Sequence, residues 1–191
     1  MQYKAVIIGA TTGGPNALRT ILKKMPKDFP IPIIIVQRIP QGLFAESLAE
    51  ALDEASEIKV RILHENDQLH NNEAVLIPGG YNLKLLHESN SIQLISGDDP
   101  ENSPSISETL KQAEHYFNGP VILAILTGIC LEDDLIKNVK DLISAGSHVI
   151  TQKPETCFIE DLPQTIIQAG LSNDNIDLND ISEHLSRLAN K

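Results

Sequence analysis

Cysteine, basic residues and long apolar runs are all scarce in this chain. Only two cysteines occur in 191 residues, Cys130 and Cys157. Neither belongs to a Cys-x-x-Cys pair, so there is no zinc or redox signal, and the pair reads as two reduced thiols of a cytoplasmic protein. Lysine and arginine number 15 against 26 aspartates and glutamates, a formal net charge of −11. Such a balance repels phosphate and excludes nucleic acid or an anionic membrane as a general partner. No apolar run approaches the ~18 residues of a membrane span, so membrane insertion is excluded. Residues 1–15 lack the basic start, apolar run and cleavage site of a signal peptide. The six histidines are scattered with no His-x-x-x-His pair, so neither a metal site nor a cofactor is expected. Internal repeats, low-complexity tracts and flexible linkers are absent as well.

What is present is globular. Apolar residues make up 41% and charged residues 21%, enough for one domain with a sizeable core. The chain is organised around residues 3–20. Residues 3–8 form an apolar, β-branched strand. Gly9-Ala10-Thr11-Thr12-Gly13-Gly14-Pro15 follows at once, and Ala17, Leu18, Ile21 and Leu22 then recur at helical spacing. The glycines therefore sit where a strand ends and a helix begins. Small residues let the chain turn sharply there, and the helix's first N–H groups favour an anion or an oxyanion. A hydroxyl on such a bend, Thr11 or Thr12, is similar in placement to a hydrolase nucleophile elbow. The spacing matches neither a Walker loop nor a Gly-x-Gly-x-x-Gly dinucleotide loop.

The rest of the chain alternates. Strands are predicted at 31–37, 73–77, 121–126 and 148–151, with a short alternating one at 59–63. Helices are predicted at 43–52, from Ser105 to about 117, from after Gly128 to about 145, and at 162–169 and 177–188. Pro104 is placed in the first turn of the helix at 105, and Ser105 and Glu108 have capping-box spacing. Strands at 83–87 and 92–95 flank a turn and read as a hairpin. The pattern predicts an α/β fold: a doubly wound, mostly parallel sheet with helices on both faces and a small β-hairpin insert. Ligands of such folds gather at the C-terminal ends of the strands, here residues 9–14, 38–41, 78–81, 127–132 and 152–157. Glu132, Asp133 and Asp134 are placed at a helix start, complementing its dipole rather than binding Mg²⁺. Cys130 reads as a loop thiol and Cys157 as core. His64, His70, His87, His115, His148 and His184 read as surface or hydrogen-bonded side chains rather than catalysts.

Those strand ends, taken together, carry a resemblance. Val-Ile-Ile-Gly-Ala-Thr-Thr-Gly-Gly-Pro at 6–15 and Ile-Val-Gln-Arg-Ile-Pro at 35–40 are followed by Pro-Gly-Gly-Tyr at 78–81 and Pro104-Ser105. Leu-Thr-Gly at 126–128, Glu-Thr-Cys at 155–157 and Pro163 complete the set. In order and spacing the chain resembles the catalytic domain of the chemotaxis-receptor methylesterases, the CheB family, over about residues 3–188. The resemblance implies a doubly wound α/β domain that hydrolyses glutamate methyl esters on chemoreceptors with a serine, a histidine and an aspartate. Many members also carry an N-terminal receiver domain. This chain starts at the first catalytic-domain strand, so a single domain over 1–191 without a receiver domain is expected.

By the same resemblance, the family serine falls on Thr11, the histidine on Arg38 and the aspartate on Glu132. Ile129 stands for a methionine, Cys130 for a glycine and Asp133 for the glycine after the aspartate. Asn82 stands for a histidine and Ser107 for an aspartate. The oxyanion or anion-binding loop is Thr12, Gly13, Gly14 and Ile129. A hydroxyl needs a neighbouring base to attack an ester. Arginine stays protonated below about pH 12 and has no acceptor atom, so Arg38 cannot replace histidine. The expectation is a non-catalytic binding or regulatory protein whose partner is a chemoreceptor or another chemosensory protein. An active esterase using Thr11 and a small-anion binder at Thr11–Gly14 and Arg38 are the alternatives. Because both members of a paired position have changed, Arg38 and Glu132 are expected to form a salt bridge.

Overall fold

The computed structural model describes residues 2–42, 44–86 and 91–191, leaving aside the side chain of Glu114. Nine strands and six α-helices follow one another among them: β1 Val6–Ala10, α1 Gly14–Leu22, β2 Ile33–Gln37, α2 Phe44–Ala55, β3 Lys59–Ile62, β4 Glu73–Leu76, β5 Tyr81–Leu86, β6 Ser91–Ser96, α3 Ile106–Tyr116, β7 Ile122–Ile125, α4 Leu135–Ser144, β8 His148–Gln152, α5 Asp161–Gln168, β9 Asp174–Ile176 and α6 Ile181–Ala189. Seven strands form one sheet in the order β3-β4-β2-β1-β7-β8-β9. Every pairing in it is parallel, and the central strands β1 and β7 are apolar and fully buried, as a parallel sheet covered on both faces requires. β5 and β6 pair antiparallel as a separate hairpin.

The strand pleat divides the core into two layers. Val6, Ile8 and Ala10 of β1 face α1, α2 and α6, whereas Ala5 and Ile7 face the layer of α3, α4, α5 and the hairpin. All five residues are fully buried. From β1 the chain moves outward through β2 and later returns to lay β7 on the other side. The strand order therefore reverses between β1 and β7, and a crevice opens above their C-terminal ends.

Sequence and structure differ at element ends. The helix after Gly128 starts only at Leu135, because residues 127–134 form a loop held by other elements. Pro104 lies ahead of the Ser105 cap of α3 rather than inside its first turn. The terminal helix divides into a short 3₁₀ turn, Leu178–Asp180, and α6. The short edge strand β9 has no apolar run to reveal it. It exists because Ile150, Thr151 and Gln152 offer it a ladder. The hairpin turn, the predicted end of β5 at His87 and the predicted helix start at Leu43 fall outside the described residues.

At the opposite edge Arg61 on β3 binds Glu73 through Nε and Nη2, both at 3.0 Å. Its Nη1 donates to Asp67 Oδ2 at 2.5 Å. No helix among the described residues is long and apolar enough to cross a membrane.

Candidate active-site cleft

Thr11 stands directly after β1, at the point where the strand order reverses, and is only 5% exposed. Its backbone is fixed on three sides. Its N–H donates to the Thr127 carbonyl at 3.1 Å, and its own carbonyl accepts Gly14 N–H at 3.0 Å. Gln37 Nε2 donates to that same carbonyl at 2.8 Å. The Gln37 amide lies so close to Gly14 that a Cβ there would stand 1.7 Å from Oε1, so α1 starts at a residue without a side chain. Gln37 Oε1 is buried and has no hydrogen-bond partner.

The Thr11 hydroxyl is engaged as both donor and acceptor by the backbone of one residue. Oγ1 accepts the Ile129 N–H at 2.7 Å and donates to the Ile129 carbonyl at 3.2 Å. Close approach of the two loops depends on Gly128, whose φ is +152° and whose missing Cβ would stand 2.0 Å from Oγ1. The Ile129 N–H, a member of the expected oxyanion loop, is therefore directed at Thr11. Thr12 is exposed, and Gly13 is the N-cap of α1 without any side-chain cap.

Arg38 follows β2 and donates its backbone N–H to Ala10 O at 3.2 Å. Its Nη2 makes a long contact, 3.4 Å, to the Ile129 carbonyl. Arg38 and Glu132 line one cleft of about 290 Å³ together with Asn82, Asp98, Asp99 and Leu131. The expected salt bridge between them does not form: no nitrogen–oxygen pair of the two lies within 4.0 Å.

Glu132 is committed elsewhere. Its Oε1 accepts Ile106 N–H at 3.0 Å, and its Oε2 accepts Ser107 N–H at 2.5 Å and Ser105 Oγ–H at 3.1 Å. Ser105 Oγ in turn accepts Glu108 N–H at 3.0 Å. The first three amides of α3, which no helical carbonyl can reach, are thus all satisfied, and a carboxylate sits on the positive end of the helix dipole. Of the acidic run 132–134, Glu132 thus serves α3 rather than α4; Asp134 is the N-cap residue of α4 but makes no side-chain cap bond, and the first turn of α4 has no acid. Only half of the capping box forms at α3. Glu108 pairs with Lys111 at 2.6 Å, and Asn82 Oδ1 takes the Ser105 N–H at 2.8 Å.

Around this loop Asp161 Oδ2 accepts Cys130 N–H at 2.8 Å. Burial raises the Cys130 thiol above its ordinary pKa, the opposite of what a nucleophile needs. Cys157 is half-buried rather than core, and burial, with Glu160 and Glu155 nearby, raises it to about 11. Ile129, Leu131 and Phe158 are exposed at this end of the sheet.

Among the described residues no histidine or carboxylate is hydrogen-bonded to Thr11 Oγ1. His64, His70 and His115 are exposed. His148 and His184 are brought together, contrary to their scattered spacing, but over Asp174 at the other edge of the sheet. Their Nε2 atoms lie 2.6 and 2.9 Å from Asp174 Oδ2.

Fold and cleft together define a doubly wound α/β domain with a threonine hydroxyl on a strand–turn–helix bend at the switch point. The sequence model of the CheB methylesterase family matches residues 6–185. The chain belongs to that family. It is 33% identical to a protein-glutamate methylesterase/protein-glutamine glutaminase of Desulfotalea psychrophila, over 96% of this chain and 51% of that protein. A protein of the same name from Archaeoglobus fulgidus is 32% identical over 86% of this chain and 47% of its own length. The chain thus spans about half the length of these curated relatives. The crystal structure of the Thermotoga maritima CheB methylesterase catalytic domain superposes with a TM-score of 0.89 at 30% identity, covering 98% of this chain and all of that one.

Proposed function

We propose that this CheB-type domain binds a partner without turning over esters, and that it acts as a regulatory component of chemosensory signalling in the cytoplasm. One observation carries the reading. The hydroxyl at the position matching the family serine donates its proton to the Ile129 carbonyl, and the nearby side chain at the family histidine position is Arg38. A carbonyl oxygen takes no proton at neutral pH, and a guanidinium has none of the acceptor capacity a general base needs. Glu132, matching the family aspartate, is occupied by the start of α3 and, among the described residues, orients no imidazole. Loss of the base alone leaves about 10³- to 10⁴-fold over water in well-studied triads, too little for useful ester turnover.

The preserved fold and cleft support binding, and the names of the relatives suggest the partner: a chemoreceptor or another chemosensory protein. A small anion at Arg38 has less support, because Asp98, Asp99, Glu108 and Glu132 line the same cleft. The test is ester hydrolysis by the purified chain on methylated chemoreceptor and on a generic activated ester, beside Thr11→Ala. Equal, background rates are expected. Activity lost in Thr11→Ala overturns the proposal and makes Thr11 a working nucleophile.

A further inference from the structure

The second cluster of chemistry-bearing side chains lies far from the cleft, where the C-terminal segment meets the sheet edge. His148 opens β8, Asp174 opens β9, and His184 lies on α6. Both imidazoles direct Nε2 at the same carboxylate oxygen, and the three candidate ligand atoms lie within 4.8 Å of one another. We propose that His148 Nε2, Asp174 Oδ2 and His184 Nε2 form a site for one divalent transition-metal ion of the zinc class.

The donor set selects the class. Two imidazole nitrogens and one carboxylate suit zinc, nickel or cobalt, whereas magnesium and calcium prefer oxygen alone. Metal–ligand bonds of about 2.0–2.1 Å in a tetrahedron separate neighbouring ligand atoms by about 3.3 Å. The two nitrogens stand 2.6 and 2.9 Å from Oδ2, so side-chain shifts of a few tenths of an ångström open the site. The shift is feasible because the Asp174 side chain is 35% exposed and that of His148 22%. A cleft of about 260 Å³ lined by His184, Lys153, Asp177 and Arg187 adjoins the cluster and leaves a path for the ion and for water as a fourth ligand. Three ligands from three elements would fasten β9 and α6 to β8.

One residue opposes the ion and makes the proposal sharp. Arg187 Nη2 lies 2.6 Å from His184 Nδ1. A guanidinium only donates, so Nδ1 accepts and the ring proton sits on Nε2. To ligate, His184 must move that proton to Nδ1, and Arg187 must swing away. Arg187 is exposed and free to do so. The tautomer of His148 must change in the same sense, where Tyr3 packs edge-on at 6.4 Å between ring centroids.

The test is calorimetric titration of the chelator-treated full chain with zinc chloride and, separately, nickel chloride, together with thermal unfolding in each ion. One ion per chain and a raised unfolding temperature are expected. His148→Ala, at a side chain 22% exposed on the sheet edge, should weaken binding by about tenfold or more. Arg187→Gln should tighten it, an effect that no general loss of structure imitates. A Cys130→Ser, Cys157→Ser double variant should bind as the parent does. Absence of saturable one-to-one binding overturns the proposal. So does an affinity unchanged by His148→Ala, or one lost with the cysteines.

Discussion

Glu132 Oε2 stands 2.5 Å from the Ser107 amide, in the first turn of α3. The carboxylate at the position of the family's catalytic aspartate thus serves as the cap of a helix. Its removal should be felt as stability. Glu132→Ala leaves the Ile106 and Ser107 amides without a protein acceptor and should cost about 2–3 kcal/mol in urea unfolding. Glu132→Gln keeps one oxygen and should cost about half as much. Arg38→Ala, by contrast, should stay within about 0.5 kcal/mol, since no carboxylate among the described residues forms an ion pair with it. Equal losses at both positions would restore the salt bridge that the structure does not contain.

The contact between Gly128 and Thr11 makes a second prediction. Gly128→Ala puts a Cβ at 2.0 Å from Thr11 Oγ1 and imposes an unfavourable φ of +152°. A loss of about 3 kcal/mol or more is expected. Thr11→Ala alone should cost about 1–2 kcal/mol, because the Ile129 amide loses its acceptor. The double variant should lose less than the two single losses together, by about 1 kcal/mol, since the worst clash is gone. Strict additivity in denaturant titrations would show that the loops move apart instead.

Asp67 predicts the sign of an acid effect. Burial pushes its pKa up, but the His64 amide and the Arg61 guanidinium outweigh burial and hold it below the ordinary carboxylate value. A depressed folded-state pKa adds stability above the unfolded value of about 3.9, and that stability is lost as pH falls through the folded pKa. Asp67→Asn should therefore be less stable than the parent at pH 7. The difference should shrink as both are titrated below about pH 4. A constant difference down to the lowest pH would contradict the linkage.

Cys157 should be slow to react. With its pKa raised to about 11, the thiol is almost wholly protonated at pH 8, and only the thiolate is nucleophilic. Iodoacetamide labelling of a Cys130→Ser variant should be far slower than that of a model thiol at pH 8. The rate should keep rising to about pH 11. A plateau near pH 8.5, the value of an ordinary free cysteine, would refute the raised pKa.

Much of this molecule follows from local pattern. Apolar β-branched runs such as Ile33-Ile34-Ile35-Val36 of β2 suit a strand covered on both faces, and glycines at 13 and 14 mark the passage into α1. Those signals act over a few residues, and together they determine the parallel sheet, the position of the cleft and the family. The destinations of long side chains were decided only by packing. Glu132 had two candidate uses in the sequence, a partner for Arg38 or the dipole of the next helix. It took a third, because α3, 26 residues earlier, brings three unsatisfied donors to it. His148 and His184 carry no motif spacing. They meet because Asp174 lies 26 residues after one and 10 before the other, on a strand that forms only beside β8. A charged group settles where desolvation is best compensated, and that depends on which elements the sheet places side by side, a property no window of sequence contains.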